Sequence, residues 1–324
     1  MRFCLDIDAA SRIMTTISAS EPLLSEAAYF IMQKPAFNAP KVLRSAMEDS
    51  TISNGDRGEL LVLLLFILAR DAAVGPADNK GRPVAGNRWF RLSSFLYDAT
   101  FRRQNVPSQV ITRSSIDALN HLKQDFPNAK LHLNHFIKVH DVDITSLLLL
   151  QGRGAGVLCA HSQSGVDAII TFLNDDARLV RSNAGLILVQ IKNNPQYSHL
   201  PHAKLFVAMD PFDLAIIKKG EDAVPLIKII FALGAKTPYL NVKRHHPTAE
   251  YGAVVYEIWC AGVSPDILGP VEHQDADVWN ALLEASYGWK KRYDSTSALT
   301  RDLRRSAAPG VAIDHFDRWA DRNY

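Results

Sequence analysis

The chain has 324 residues, 47% of them hydrophobic and 22% charged, which excludes a disordered or fibrous polymer and leaves ample length for a sizeable core. Its formal net charge is only +2, so it is no polycation. Any contact with nucleic acid must come from local basic patches rather than from bulk charge.

In chain order, residues 1–50 carry helical patterns over Pro22–Gln33 and Pro40–Glu48, with Pro22 and Asn38 as start signals. Ser50–Asp56 punctuates the chain. A helix apolar nearly all round follows from Arg57 to Val74, and its run Leu60–Ala69 is too short to span a bilayer. Gly75–Gly86 reads as an exposed loop. Helical patterns recur over Leu92–Arg102 and from Ser114 to Phe126, while Leu131–His140 fits either a strand or a short helix. Ile144–Leu150 reads as a helix stopped by Gly152-Arg153-Gly154.

Three strands follow with turn signals between them: Val157–His161, Val166–Leu173 and Leu186–Lys192. Leu226–Leu233 and Ala253–Cys260 are two more, and a short helix fits around Pro211–Ile217. The end is helical again, with an amphipathic Val278–Trp289 and a basic Ser297–Ser306. Together these predict an α/β protein in which helices cover a mixed sheet. Cys4, Cys159 and Cys260 stand apart without CxxC spacing, which fits a reducing compartment, nuclear or cytoplasmic. No basic n-region, apolar core and small-residue cleavage site mark a leader for export.

Chemistry concentrates between Gly165 and Asn193. Side chains alternate along a strand, so Ile187, Val189 and Ile191 share one face and Gln190 and Lys192 share the other. Gly165 turns the chain just before Asp167. If the two strands pair as a hairpin, an acid, an amide oxygen and an ammonium converge on one sheet edge, a set sufficient for metal-assisted phosphodiester hydrolysis. Glu59, at the start of the apolar helix, is a second acid, though it would equally complement the helix N-terminus. His161 and Gln163, just upstream of Asp167, are weaker candidates for touching phosphate or nucleotide, and a turn role suits them as well. His245-His246 with the preceding Lys243-Arg244, and Arg102-Arg103, Lys218-Lys219, Lys290-Lys291-Arg292 and Arg301–Arg305, read as basic surface groups. Asp210, before Pro211, reads as a helix cap, and the buried-looking Cys159 and Cys260 as inert core thiols.

Asp167 followed by Gln190-Ile191-Lys192, each behind an apolar strand, resembles the PD-(D/E)XK nuclease superfamily, in its Mrr-like branch with Gln-x-Lys. The setting is also similar to a group of uncharacterised fungal nuclease-like proteins, through Arg57-Gly58-Glu59-Leu60, Ala160–Asp167, Val189–Asn193, Met209–Phe212 and Tyr256–Gly262. The resemblance implies a restriction-endonuclease-like α-β-β-β-α-β core over 53–265 with a helical insertion. A helical extension at 1–52 and a helical segment at 266–324 would flank it. It further implies a catalytic set of Asp167, Gln190, Lys192 and Glu59, with Asp167, Gln190 and Glu59 holding Mg²⁺ or Mn²⁺. DNA is the expected partner, with RNA second; no membrane is expected, and a homodimer is compatible with the sequence. Gln190 stands where a glutamate is commoner, so the alternative is an inactive nucleic-acid-binding or protein-interaction module, effector-like in one version.

Overall fold

A computed structural model of the chain describes residues 2–7, 14–18, 21–48, 54–75, 88–101, 107, 109–159, 165–175, 178–249 and 251–287. The molecule is mixed α/β: a mixed sheet with helices on its flanks.

The N-terminal part holds a hairpin of β1 (Arg2–Ile7) and β2 (Met14–Ser18), then α1 (Glu21–Met32), α2 (Ala39–Glu48) and α3 (Asn54–Val74). Asn38 starts α2 by accepting the Lys41 amide on its Oδ1 at 3.0 Å. Next come β3 (Phe90–Arg91), a π-helical turn (Ser94–Thr100) and α4 (Arg113–Asp125). Then follow β4 (Lys130–Leu131), β5 (His135–Val139) and α5 (Ile144–Gly152), which is capped by Asp143. The central strands are β6 (Ala155–Cys159), β7 (Ala168–Leu173), β8 (Ala184–Lys192) and β9 (Leu226–Ala232), with α6 (Ala203–Val207) between the last two. Finally β10 (Tyr239–His245), β11 (Val255–Ala261) and α7 (Ala276–Tyr287) complete the described chain.

The main sheet runs β10-β11-β9-β8-β7, and β7 then shares its other edge between two partners, β6 near its start and β4 at its end. Strands β8, β9 and β11 are mutually parallel; β7 is antiparallel to β8, and β10 to β11. All residues of β7 and β9 are buried, as are all but the last of β8. A strand buried on both faces needs apolar side chains at odd and even positions alike, so these runs read as continuous rather than alternating. Two cores result. Ile187, Val189 and Ile191 join Leu61, Leu65 and Phe66 of α3, whereas Leu186 and Leu188 join Val157, Ile230 and Trp259 on the opposite face.

Several expectations are corrected. The N-terminal segment is not wholly helical, because its first described stretch is a hairpin of β-branched and alternating residues. The helix expected at Pro211–Ile217 lies earlier, as α6. Asp210 caps a turn instead, accepting the amides of Phe212 and Asp213 at 2.8 and 3.2 Å. Leu92–Arg102 becomes mainly a π-helical turn, and Leu131–His140 resolves into β4 and β5. The loop expected at Gly75–Gly86 lies, beyond Gly75, outside the described residues, as do Arg102-Arg103, His161, Gln163 and the basic stretch Ser297–Ser306. Among the described residues no helix is long and apolar enough to cross a membrane.

Candidate functional site

The register of the sheet brings Asp167 to Gln190. Ala168 pairs with Val189, so Asp167, one residue earlier, stands opposite Gln190, one residue later. Both fall on the face away from α3, since their neighbours Ala168 and Val189 belong to the α3 core. Lys192 follows on the same face. The row extends to Cys159, whose amide donates to the Asp167 carbonyl at 2.8 Å, and through Gln190 to Ile230 and Trp259.

Local backbone chemistry holds Asp167 in place. Its amide donates to the Val189 carbonyl at 2.8 Å, and its Oδ2 accepts the Ile191 amide at 2.5 Å. The side chain thereby takes over a ladder position that the main chain vacates by turning away at Gly165. That glycine has φ +92°, and a Cβ there would lie 2.3 Å from the Ala208 carbonyl oxygen. No other residue type satisfies both conditions.

Glu59 comes from α3 on the other core. The helix reaches the end of β8 because Gly58 lies flat against Asn193, where a Cβ would meet the Asn193 Cβ at 2.7 Å. The Arg57 guanidinium anchors the same turn by donating to the Ala285 carbonyl of α7 at 2.9 Å, and Ser286 Oγ lies 3.3 Å from Asn193 Oδ1.

Electrostatics tie these groups together. Burial, then the Asp167 and Asp56 carboxylates, push Glu59 up to about 7, against the pull of Lys138 on β5. Burial also raises Asp167, offset by the Ile191 amide and by Lys192. Burial, then Asp167 and Glu59, push the Cys159 thiol up to about 12, so it is no nucleophile at neutral pH. Cys260, fully buried, is likewise held in its thiol form. Gln190 is 4% exposed, and its Oε1 is buried with no hydrogen-bond partner among the described residues. A buried amide oxygen left unpaired costs about 1–3 kcal/mol, so something polar belongs against it.

Two carboxylates and one amide oxygen are a donor set suited to a hard divalent cation. Among the described residues no three His, Cys, Asp or Glu side chains form a metal-holding group. The candidate donors are therefore the Asp167 and Glu59 carboxylates and the Gln190 amide oxygen. Sequence reasoning had not singled out Lys138 and had read Cys159 only as an inert core thiol; the pairing of β5 with β6 places both beside the site, which only the β5–β6–β7 register could have revealed. Of the surface basic groups, Arg244 is already spent. It pairs with Asp125 through two hydrogen bonds of 2.7 and 2.8 Å, and Asp125 also accepts the Tyr256 hydroxyl at 2.5 Å. His245 lies 3.1 Å from Glu257. Compared with protein-family models, with curated proteins and with solved structures, the chain matches none.

Proposed function

We propose that the protein is a Mg²⁺-dependent nuclease of the PD-(D/E)XK type that hydrolyses phosphodiester bonds, foremost in DNA. The observation that carries this reading is the convergence of Asp167, Gln190 and Lys192 on one face at one sheet end, with Asp167 close enough to Glu59 to raise it. The succession α3, β6, β7, β8, α6, β9 follows the α-β-β-β-α-β order that the resemblance implies, with β3, the π-helical turn, α4, β4, β5 and α5 inserted between α3 and β6. Asp167, Gln190 and Glu59 would hold the cation, and the unpaired Gln190 Oε1 is the oxygen that such a partner relieves. When bound, the cation supplies a nucleophilic water at neutral pH and draws charge from the phosphate. Lys192, two residues beyond Gln190 on the same face, sets its ammonium against the charge that builds on the phosphate oxygens. Asp167 is held in a single orientation by the Ile191 amide, so it needs no rearrangement to act.

Single-turnover cleavage of duplex DNA, single-stranded DNA and RNA with Mg²⁺ or Mn²⁺ tests the reading. Asp167→Ala and Lys192→Ala are each expected to slow cleavage on the order of 100-fold or more. Gln190→Glu, which adds a carboxylate, retains or raises it, especially at low metal. Lys192→Ala cleaving as fast as wild type overturns the assignment. A second reading, a non-catalytic nucleic-acid-binding module, is favoured by one observation, the neutral Gln190 in a ligand position. It prevails if wild type cleaves nothing under either metal.

A further inference from the structure

Beside this edge, the carboxyl ends of the three parallel strands β8, β9 and β11 open onto a crevice of about 500 Å³. The crevice outside the carboxyl ends of parallel strands is where open α/β sheets receive ligands, because loops diverge there and leave a gap that no side chain fills. Here the gap lies between the loop after β8, the loop after β9, the loop after β11 and the outer side of α7. It adjoins the candidate site directly: the Leu233 amide donates to the Lys192 carbonyl at 3.0 Å, and Pro195, three residues beyond Lys192, forms one wall.

The walls determine what fits. Pro195, Pro238, Pro265, Leu233, Val263 and Leu283 present apolar surfaces, suited to the faces of a flat ring. Polar groups sit at the mouth, where Asn280 on α7 and Lys236 are both exposed. An amide that both donates and accepts matches the edge of a heterocycle, and an ammonium matches a phosphate attached to it. The volume lies within the range of ligand pockets that take small molecules.

We infer that this crevice binds a nucleobase, carried either on a polynucleotide strand passing Lys192 or on a mononucleotide. The inference rests on the nuclease reading for the identity of the strand, but its own evidence is the cavity and its lining. A base can enter only if it is unpaired, so the crevice makes the substrate single-stranded, or locally opened, next to the scissile phosphate. Duplex DNA then pays for opening one pair, whereas single strands enter freely.

Binding of the full-length protein, measured in EDTA so that no cleavage intervenes, tests this with four probes: a short oligothymidylate, an abasic strand of equal length, thymidine monophosphate and inorganic phosphate. The oligothymidylate is expected to bind about tenfold more tightly than the abasic strand, the order that contacts to one base supply. Ala276→Phe, which fills the mouth, and Asn280→Ala, at an exposed helix position, both erase that difference. Lys236→Ala weakens the base-bearing and abasic strands alike. Thermal melting of each variant confirms that the fold is intact. Binding of thymidine monophosphate that phosphate does not displace identifies a free nucleotide as an occupant, and no such binding leaves the polynucleotide as the source. Equal affinity for the base-bearing and abasic strands overturns the inference, as does an undiminished difference in both Ala276→Phe and Asn280→Ala. The two readings fail separately. A protein that cleaves but ignores bases loses the crevice, and one that prefers bases but never cleaves loses the nuclease.

Discussion

At the scale of single residues, Glu59 has the most measurable consequence. An unfolded glutamate ionises near 4.5, and in the folded chain burial beside Asp167 and Asp56 moves it to about 7. Between those values the native state keeps a proton that the unfolded chain has lost. Its contribution to stability is therefore complete below about pH 4.5 and is lost as pH rises through about 7. Asp167, raised for the same first reason, acts in the same direction. Glu59→Gln removes the penalty of the charged form, so in EDTA its Tm is expected to fall less than that of wild type between about pH 5 and pH 8. Calorimetric melting curves at the two pH values decide it, and parallel profiles would refute the coupling. In the nuclease reading, Mg²⁺ must displace the Glu59 proton, so its affinity drops as pH falls below about 7. Added Mg²⁺ then raises the Tm of wild type at pH 8 more than that of Glu59→Gln.

At the scale of elements, the turn into β7 is where sequence and site depend most on each other. Gly165→Ala forces a side chain onto a backbone with positive φ and into the Ala208 carbonyl, so the turn must shift. The expected cost is about 1–3 kcal/mol of stability. Asp167 moves with the turn, so loss of cleavage should exceed what the melting temperature alone accounts for; cleavage measured well below the Tm is the check. On the other side of the molecule, Arg70 of α3 is 1% exposed. It donates to the Leu133 carbonyl at 2.8 Å, to Asn134 at 2.9 Å and to Asp71 at 2.5 Å, binding α3 to the segment between β4 and β5. Arg70→Ala leaves buried acceptors unpaired and is expected to cost about 3–5 kcal/mol in urea melts. Elements of this kind differ in how legible they are. The strands β7, β8 and β9 were readable because continuous apolar, β-branched runs between turn signals admit few alternatives. The shared face of Gln190 and Lys192 followed from strand alternation, whereas setting Asp167 beside them took an assumed hairpin, the turn at Gly165 and the resemblance. Strand β10, by contrast, alternates only over Leu240-Asn241-Val242 and ends in the contiguous run Lys243-Arg244-His245, so its charges suggested a surface patch and hid a strand. Its place is set by β11 and by the Asp125–Arg244 pair, partners 119 residues apart. The crevice beside β8, β9 and β11 was equally invisible, because it is a property of three loop ends meeting α7 and of no single stretch.

At the scale of the whole molecule, the question is where affinity for a polyanion can come from. A formal charge of +2 gives little long-range attraction. Several described arginines are also committed internally: Arg57 to Ala285, Arg70 to Asp71 and Asn134, Arg181 to Glu221, and Arg244 to Asp125. Among the described residues, the cations around the candidate edge include Lys192, Lys138, which acts on Glu59, and Lys236 at the crevice. If those three carry the phosphate contacts, the logarithm of the binding constant for a single strand should fall with the logarithm of salt concentration at a slope of about −2, since each neutralised phosphate contributes about −0.7. Lys236→Ala should bring that slope toward about −1.4. Filter binding across a salt series in EDTA measures both. Binding that persists at high salt would refute that slope and mean that base contacts dominate over these three cations. A slope several times steeper, unchanged by Lys192→Ala and Lys236→Ala, would transfer the contacts to the basic stretches Lys290-Lys291-Arg292 and Arg301–Arg305, which lie outside the described residues. The edge built on Asp167 would then no longer be the place where the strand is held.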